Sequence, residues 1–146
     1  MTFSPRIPTE KGMGQTPGSD HTALCIAICD EDPQIRSEVT RLARAQTFDV
    51  IEAESGHQAL ASLIVGDVLC GFIHVNLPDM SGFEVARRVR AANLHRRPML
   101  VALTASILPS ERDMLLAAGF DLRLPRPIDA EHIAEVLAAV RKRVTE

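Results

Sequence analysis

The chain of 146 residues is 46% hydrophobic and 24% charged, with a formal net charge of -3. That length suits one domain around a single core, and the composition excludes a fully disordered or collagen-like chain. Apolar runs stay short of about 18 residues, no basic start leads into an apolar stretch, and the balance is negative with five Phe and no Tyr or Trp, which speaks against a membrane span, a signal peptide and a nucleic-acid partner.

Residues 1–22 carry Pro5, Pro8, Pro17, Gly12, Gly14 and Gly18 without any hydrophobic period. They predict a flexible tail, because so little apolar surface does not offset the entropy of ordering. The folded domain is expected over 23–146. Residues 23–29 (ALCIAIC) form a continuous apolar run, as expected of a strand buried on both faces. Asp32 is expected to cap, and Pro33 to open, a helix in which Ile35, Val39 and Leu42 recur at helical spacing. Residues 48–53 give a second strand, and Ser55 caps a helix bearing Ala59, Leu60 and Leu63. Residues 68–75 (VLCGFIHV) give a third strand, followed by a loop over 76–82 with Pro78 and Gly82 and a helix carrying Phe83, Ala86, Val89 and Arg90.

Residues 99–103 read as a fourth strand, about 106–118 as a fourth helix stopped by Gly119, and 120–124 as a short fifth strand. Asp129 caps a last helix with Ile133, Val136, Leu137 and Val140 on one face. Its basic end, Arg141, Lys142 and Arg143, suits the helix dipole. The cysteines Cys25, Cys29 and Cys70 are odd in number, sit in apolar stretches and lack zinc or CxxC spacing, so buried reduced thiols in a cytoplasmic protein are expected. His57, His95 and His132 fall on polar helix faces or loops with no metal spacing.

Five strand–helix repeats predict an α/β fold: a flavodoxin-like, doubly wound five-stranded parallel sheet, order 2-1-3-4-5, with helices on both faces. In such a sheet the site lies outside the carboxyl ends of the strands. The residues there are Asp30 and Glu31, His74, Thr104 and Arg126.

Those strand ends resemble the receiver domain of two-component response regulators over roughly residues 23–143. IAICDEDPQIR resembles the family's first strand with its acidic pair. HVNLPDMSGFEVARRVR resembles the segment bearing the phosphoacceptor Asp and the following Pro turn. ALTA resembles the fourth strand with its Thr/Ser-Ala ending, and LPRPID the fifth-strand end with its Lys-Pro. The resemblance implies a site in which three acids bind Mg²⁺, the acceptor Asp takes a phosphoryl group from a histidine kinase, and Lys and Thr/Ser contact its oxygens.

The sequence departs from that pattern at three positions. His74 stands at the acceptor position, Arg126 at the Lys position and Arg123 at the switch-aromatic position; Asp30, Glu31 and Thr104 remain. An imidazole cannot form an acyl phosphate or replace a carboxylate on Mg²⁺, and Arg differs from Lys in shape and hydrogen-bonding geometry. The expectation is a degenerate receiver, or pseudo-receiver. The acidic pair is read as exposed acids partnered to Arg126 or His74, so that the pocket neutralises itself without metal. No cofactor is required, and Mg²⁺ binding through Asp30 and Glu31 is weakened.

His74 has a leading role as a neutral replacement that removes phosphorylation. Alternatively, nearby carboxylates favour its charged form and make it pH-responsive, or it joins Asp30 and Glu31 around Zn²⁺ or Mn²⁺. Phosphorylation of His74 itself is a remote fourth role. Thr104 reads as a satisfied strand-end hydroxyl. Arg123, with Arg112 and Arg126 near it, can contribute to a partner-binding patch.

The function expected is a single-domain, non-enzymatic and phosphorylation-independent receiver in two-component phosphorelay signalling. It would be cytoplasmic and act by protein contact through the fourth helix, fifth strand and fifth helix. Its partner would be a histidine kinase, another regulator or a second copy, with no nucleic acid and no membrane. The length leaves no room for an output domain; an excised piece of a larger chain is the other reading. The alternatives are a metal- or pH-responsive receiver using Asp30, Glu31 and His74, and a small flavodoxin-like enzyme. Against the enzyme, no Gly-rich phosphate loop follows the first strand.

Overall fold

The computed structural model describes residues 24–105 and 108–145. The expected tail over 1–22 lies outside the described residues. Five strands, β1 (Cys25–Cys29), β2 (Asp49–Ala53), β3 (Cys70–His74), β4 (Met99–Thr104) and β5 (Leu122–Pro125), alternate with five helices. These are α1 (Pro33–Ala45), α2 (Gly56–Val65), α3 (Gly82–Ala91), α4 (Pro109–Ala118) and α5 (Ala130–Thr145). The sheet has the order β2-β1-β3-β4-β5, and every pair is parallel. The predicted architecture and strand order are therefore those observed.

The core follows from the two-residue period of the strands. Ile26 and Ile28 of β1 face one side with Phe72, Val101 and Leu103, where α1 (Val39, Ala43) and α5 (Ile133, Leu137, Val140) cover them. Ala27 and Cys29 face the other with Ile73, Leu100 and Ala102, under α2 (Ala59, Leu63), α3 (Val85, Ala86, Val89) and α4 (Leu115, Ala118). Each large aliphatic or aromatic side chain buried this way contributes about 1.5–3 kcal/mol relative to exposure. A strand covered on both faces cannot alternate polar and apolar residues, which is why β1 reads as an unbroken apolar run.

The expected caps form. Asp32 accepts from Gln34 N–H (2.9 Å) and Ser55 from Gln58 N–H (3.2 Å), while Asp129 accepts from Glu131 N–H (2.8 Å). Gly119 ends α4 at φ 112°, a left-handed conformation open to glycine. The strand ends differ from the sequence reading by one or two residues: β3 starts at Cys70 rather than residue 68, and β5 is shifted to 122–125. The fourth helix starts at Pro109 rather than near 106, because proline fits the first helical position.

Cys29 and Cys70 are buried and Cys25 is half-buried. Burial, reinforced by Asp30, pushes the Cys29 thiol up to about 12, and burial raises Cys70 as well. No helix among the described residues is long and apolar enough to cross a membrane.

Candidate functional site

Different strands deliver the site residues to one crevice at the carboxyl edge of the sheet, where the chain reverses its winding between β1 and β3. One more backbone bond beyond β1, from Asp30 N–H to Ala53 C=O (2.9 Å), fixes Asp30 at that edge. Arg36 of α1 donates Nη1 to the Asp30 carbonyl (2.8 Å). His74 is the last residue of β3 and Thr104 the last of β4. Beyond β5, Arg126 N–H donates to the Thr104 carbonyl (3.2 Å), and the Arg126–Pro127 peptide is cis.

Asp30 is the centre of this arrangement. Its side chain is fully buried. Arg126 Nη1 donates to Oδ2 at 2.6 Å, and Asp32 N–H donates to Oδ1 at 2.9 Å. His74 Nδ1 lies 3.9 Å from Oδ1. Arg126 Nη2 also reaches Asp32 Oδ2 at 4.0 Å, so Asp32 both caps α1 and faces the guanidinium. Glu31 is exposed and makes no hydrogen bond among the described residues. The expectation of two exposed acids is thus corrected: one is buried and paired to Arg126, the other lies in solvent. The physical reason is that the carboxylate is enclosed only because a guanidinium and a backbone N–H satisfy it. A cavity of about 430 Å³, lined by Asp32, Gln34, Ile35, Glu38, Arg126 and Ile128 among others, opens on the Arg126 side.

The environment of His74 reverses one expectation. Its Nδ1 is buried without a hydrogen-bond partner among the described residues. Burial is the main influence on its pKa and lowers it below the ordinary imidazole value; Asp30 opposes this, and Arg126 adds to the lowering. The leading reading takes His74 as a neutral replacement, while the pH-responsive alternative has nearby carboxylates favouring the charged imidazole. Desolvation together with the Arg126 charge outweighs them, so His74 is neutral at neutral pH.

The donor set does not fit Mg²⁺. A hard divalent cation needs several oxygen ligands. Here a guanidinium already stands 2.6 Å from Asp30 Oδ2, and β3 contributes an imidazole nitrogen where the resemblance implies a carboxylate. Among the described residues no three His, Cys, Asp or Glu side chains come together as a metal-ligating group. Asp30, Glu31 and His74 do not converge around Zn²⁺ or Mn²⁺ either.

Thr104 is buried, and its hydroxyl donates to Glu111 Oε1 at 3.2 Å, a link from the site to the first turn of α4. Arg123 is exposed on β5 and Arg112 is exposed on α4. Sequence reasoning missed three supporting residues: Arg36, Glu111 and Asp79. An acid in the first turn of a helix was the available signal for Glu111. Asp79, in the loop after β3, accepts from Gly56 N–H (2.5 Å) and His57 N–H (3.1 Å) and from the His57 ring, tying that loop to the start of α2. These bonds, led by that from Gly56, hold the Asp79 carboxyl well below the usual carboxylate range. The exposed His57, placed by the sequence on a polar face, is one half of that tie.

Comparison with known proteins agrees with this fold. The chain is 30% identical over 128 residues to the sensor protein EvgS of Escherichia coli, covering 88% of this chain and 10% of that protein. It is 25% identical to the transcriptional regulatory protein TrcR of Mycobacterium tuberculosis, covering 93% of this chain and 53% of that one. The chain therefore spans about half or less of the length of these curated relatives. Among solved structures, the chemotaxis response regulator CheY4 of Vibrio cholerae superposes with a TM-score of 0.73 at 25% identity, covering 82% of this chain and 99% of that one. A two-component response regulator from Clostridium difficile shares the fold at a TM-score of 0.75 and 17% identity, covering 84% and 99%. The model of the response regulator receiver domain matches residues 26–138, from β1 into α5, and so takes in every strand end described above; the chain belongs to that family.

Proposed function

We propose that this chain is a degenerate receiver in two-component signalling that works without phosphorylation, with His74 at the acceptor position. The observation that carries the reading is the buried Asp30–Arg126 pair at 2.6 Å, beside a neutral imidazole where the family's acceptor carboxylate is expected. A guanidinium supplies the positive charge that a metal would otherwise bring, so the pocket is electrically balanced as folded. An imidazole offers no acyl phosphate. The domain rests in one state and acts by protein contact rather than as an enzyme, over the folded unit from about residue 23 onward.

The proposed contact face is made by α4, β5 and α5. Leu108 before α4, Met114 and Leu116 of α4 and Leu122 of β5 are exposed large apolar residues, and Arg112 and Arg123 lie on the same elements. Exposed apolar groups flanked by arginines suit a protein partner. A histidine kinase, another regulator or a second copy in the cytoplasm is the proposed partner class.

The test is a titration of the labelled protein with beryllofluoride and Mg²⁺, read by amide NMR. Unchanged resonances around His74, Thr104 and Arg126 are expected. Large saturable shifts there would overturn the reading.

A further inference from the structure

A second cavity lies at the opposite, amino-terminal edge of the sheet. It holds about 280 Å³ and is lined by Leu69, Arg96, Arg97, Val140, Arg143 and Val144. These residues come from three distant stretches. Leu69 immediately precedes β3, Arg96 and Arg97 sit in the connection that enters β4, and the other three lie in the last turns of α5. Nothing in the reading of His74 and Asp30 uses them.

The charge around this cavity is lopsided. Arg97 Nη1 donates to Asp121 Oδ1 at 3.3 Å, and Arg90 Nη2 donates to Oδ2 at 2.9 Å. Oδ2 also accepts from Leu100 N–H at 2.9 Å, so three donors already engage the carboxylate. The side chains of Arg96 and Arg143 make no hydrogen bond or ion pair among the described residues. Two guanidinium groups thus meet the one carboxylate, while Arg96 and Arg143 add two further positive charges to the lining. The crowding is felt within the cluster: burial and then the charge of Arg97 work against the Arg90 cation. The floor is apolar, with Leu69 and Val140 buried and Val144 half-exposed.

We propose that this cavity binds a small organic polyphosphate. Planar guanidinium forks match phosphoryl oxygens two at a time, which single surface lysines do not. Two adjacent arginines in the connection before β4 and a third on α5 can approach one ligand from two sides. Leu69, Val140 and Val144 give its organic part a seat, and the cavity of about 280 Å³ lies at the small end of ligand-site volumes.

The experiment titrates the full chain, without metal and at low salt, with inorganic pyrophosphate and with adenosine diphosphate, read by amide and arginine side-chain NMR. Saturable shifts at Leu69, Arg96, Arg97, Val140 and Arg143 are expected, with a dissociation constant at or below about 1 mM and tighter binding for the nucleotide. Arg96→Ala and Arg143→Ala each remove an exposed side chain without touching the core, and each should weaken binding about tenfold at an unchanged urea midpoint. Arg44→Ala, on exposed α1 surface, should change nothing. No saturable shift, or shifts that map to Arg112, Arg123 and Arg126, would overturn the proposal. Equal affinity for both probes would overturn the role of the apolar floor.

Discussion

Replacing His74 by Asp places a second carboxylate at the mouth of a crevice that already encloses one. In the native protein His74 Nδ1 stands 3.9 Å from Asp30 Oδ1, and Asp30 is fully buried. Two like charges about 4 Å apart repel by about 4 kcal/mol at an effective dielectric constant of about 20. Sharing the Arg126 guanidinium between both carboxylates offsets roughly half of that, leaving about 2 kcal/mol of destabilisation at neutral pH. The assay is urea unfolding followed by circular dichroism, in chelator and in Mg²⁺. With a slope of about 2 kcal/mol per molar, the midpoint in chelator should fall by about 1 M. Because Asp30, Glu31 and the side chain at position 74 do not converge as a metal-ligating group, Mg²⁺ should restore little of this to the variant and leave the wild type unmoved. A variant as stable as the wild type in chelator, or a wild type that Mg²⁺ stabilises, would refute the idea that Arg126 already balances the site.

Acidification should cost the wild type stability through His74. Its folded pKa is depressed below the ordinary 6.5, so as pH falls the unfolded chain takes up the proton first, and stability that is fully present above about pH 7 is lost progressively as pH falls through 6.5 toward the lower folded value. Unfolding of the wild type and of His74→Gln over that range should diverge, the wild type falling more steeply; parallel curves would refute this. At Gly82 a Cβ would come 2.6 Å from the His74 carbonyl oxygen and 2.8 Å from Val75 Cα. Because both are backbone atoms, Gly82→Ala should cost about 1–3 kcal/mol and shift the His74 and Val75 amides, and an unchanged thermal midpoint would count against that packing.

The fold was legible because its signals are local. The unbroken apolar run of β1, the caps Asp32, Ser55 and Asp129, and the stop at Gly119 each depend on a few neighbouring residues. The positions of the site residues were legible too, since a parallel sheet gathers strand ends at one edge. Their electrostatics were not. Whether Asp30 meets solvent or Arg126 depends on a side chain 96 residues away. The charge state of His74 depends on enclosure, which periodicity does not measure. The same limit hid Arg141. It reads as one more basic residue at a helix end, yet its guanidinium lies 4.7 Å from the centre of the Phe48 ring and donates to Thr47 Oγ1 at 2.6 Å.

The Asp30–Arg126 pair has a consequence for how the domain meets its surroundings. A carboxylate served by a free ion follows the activity of that ion, and its charge state rises and falls with supply, chelation and competing solutes. A counter-charge that is part of the polypeptide is present in one-to-one stoichiometry at synthesis and cannot be diluted or dialysed away. On the proposed reading, the electrostatic setting of this crevice is therefore inherited from the gene rather than read from the cell's ionic composition.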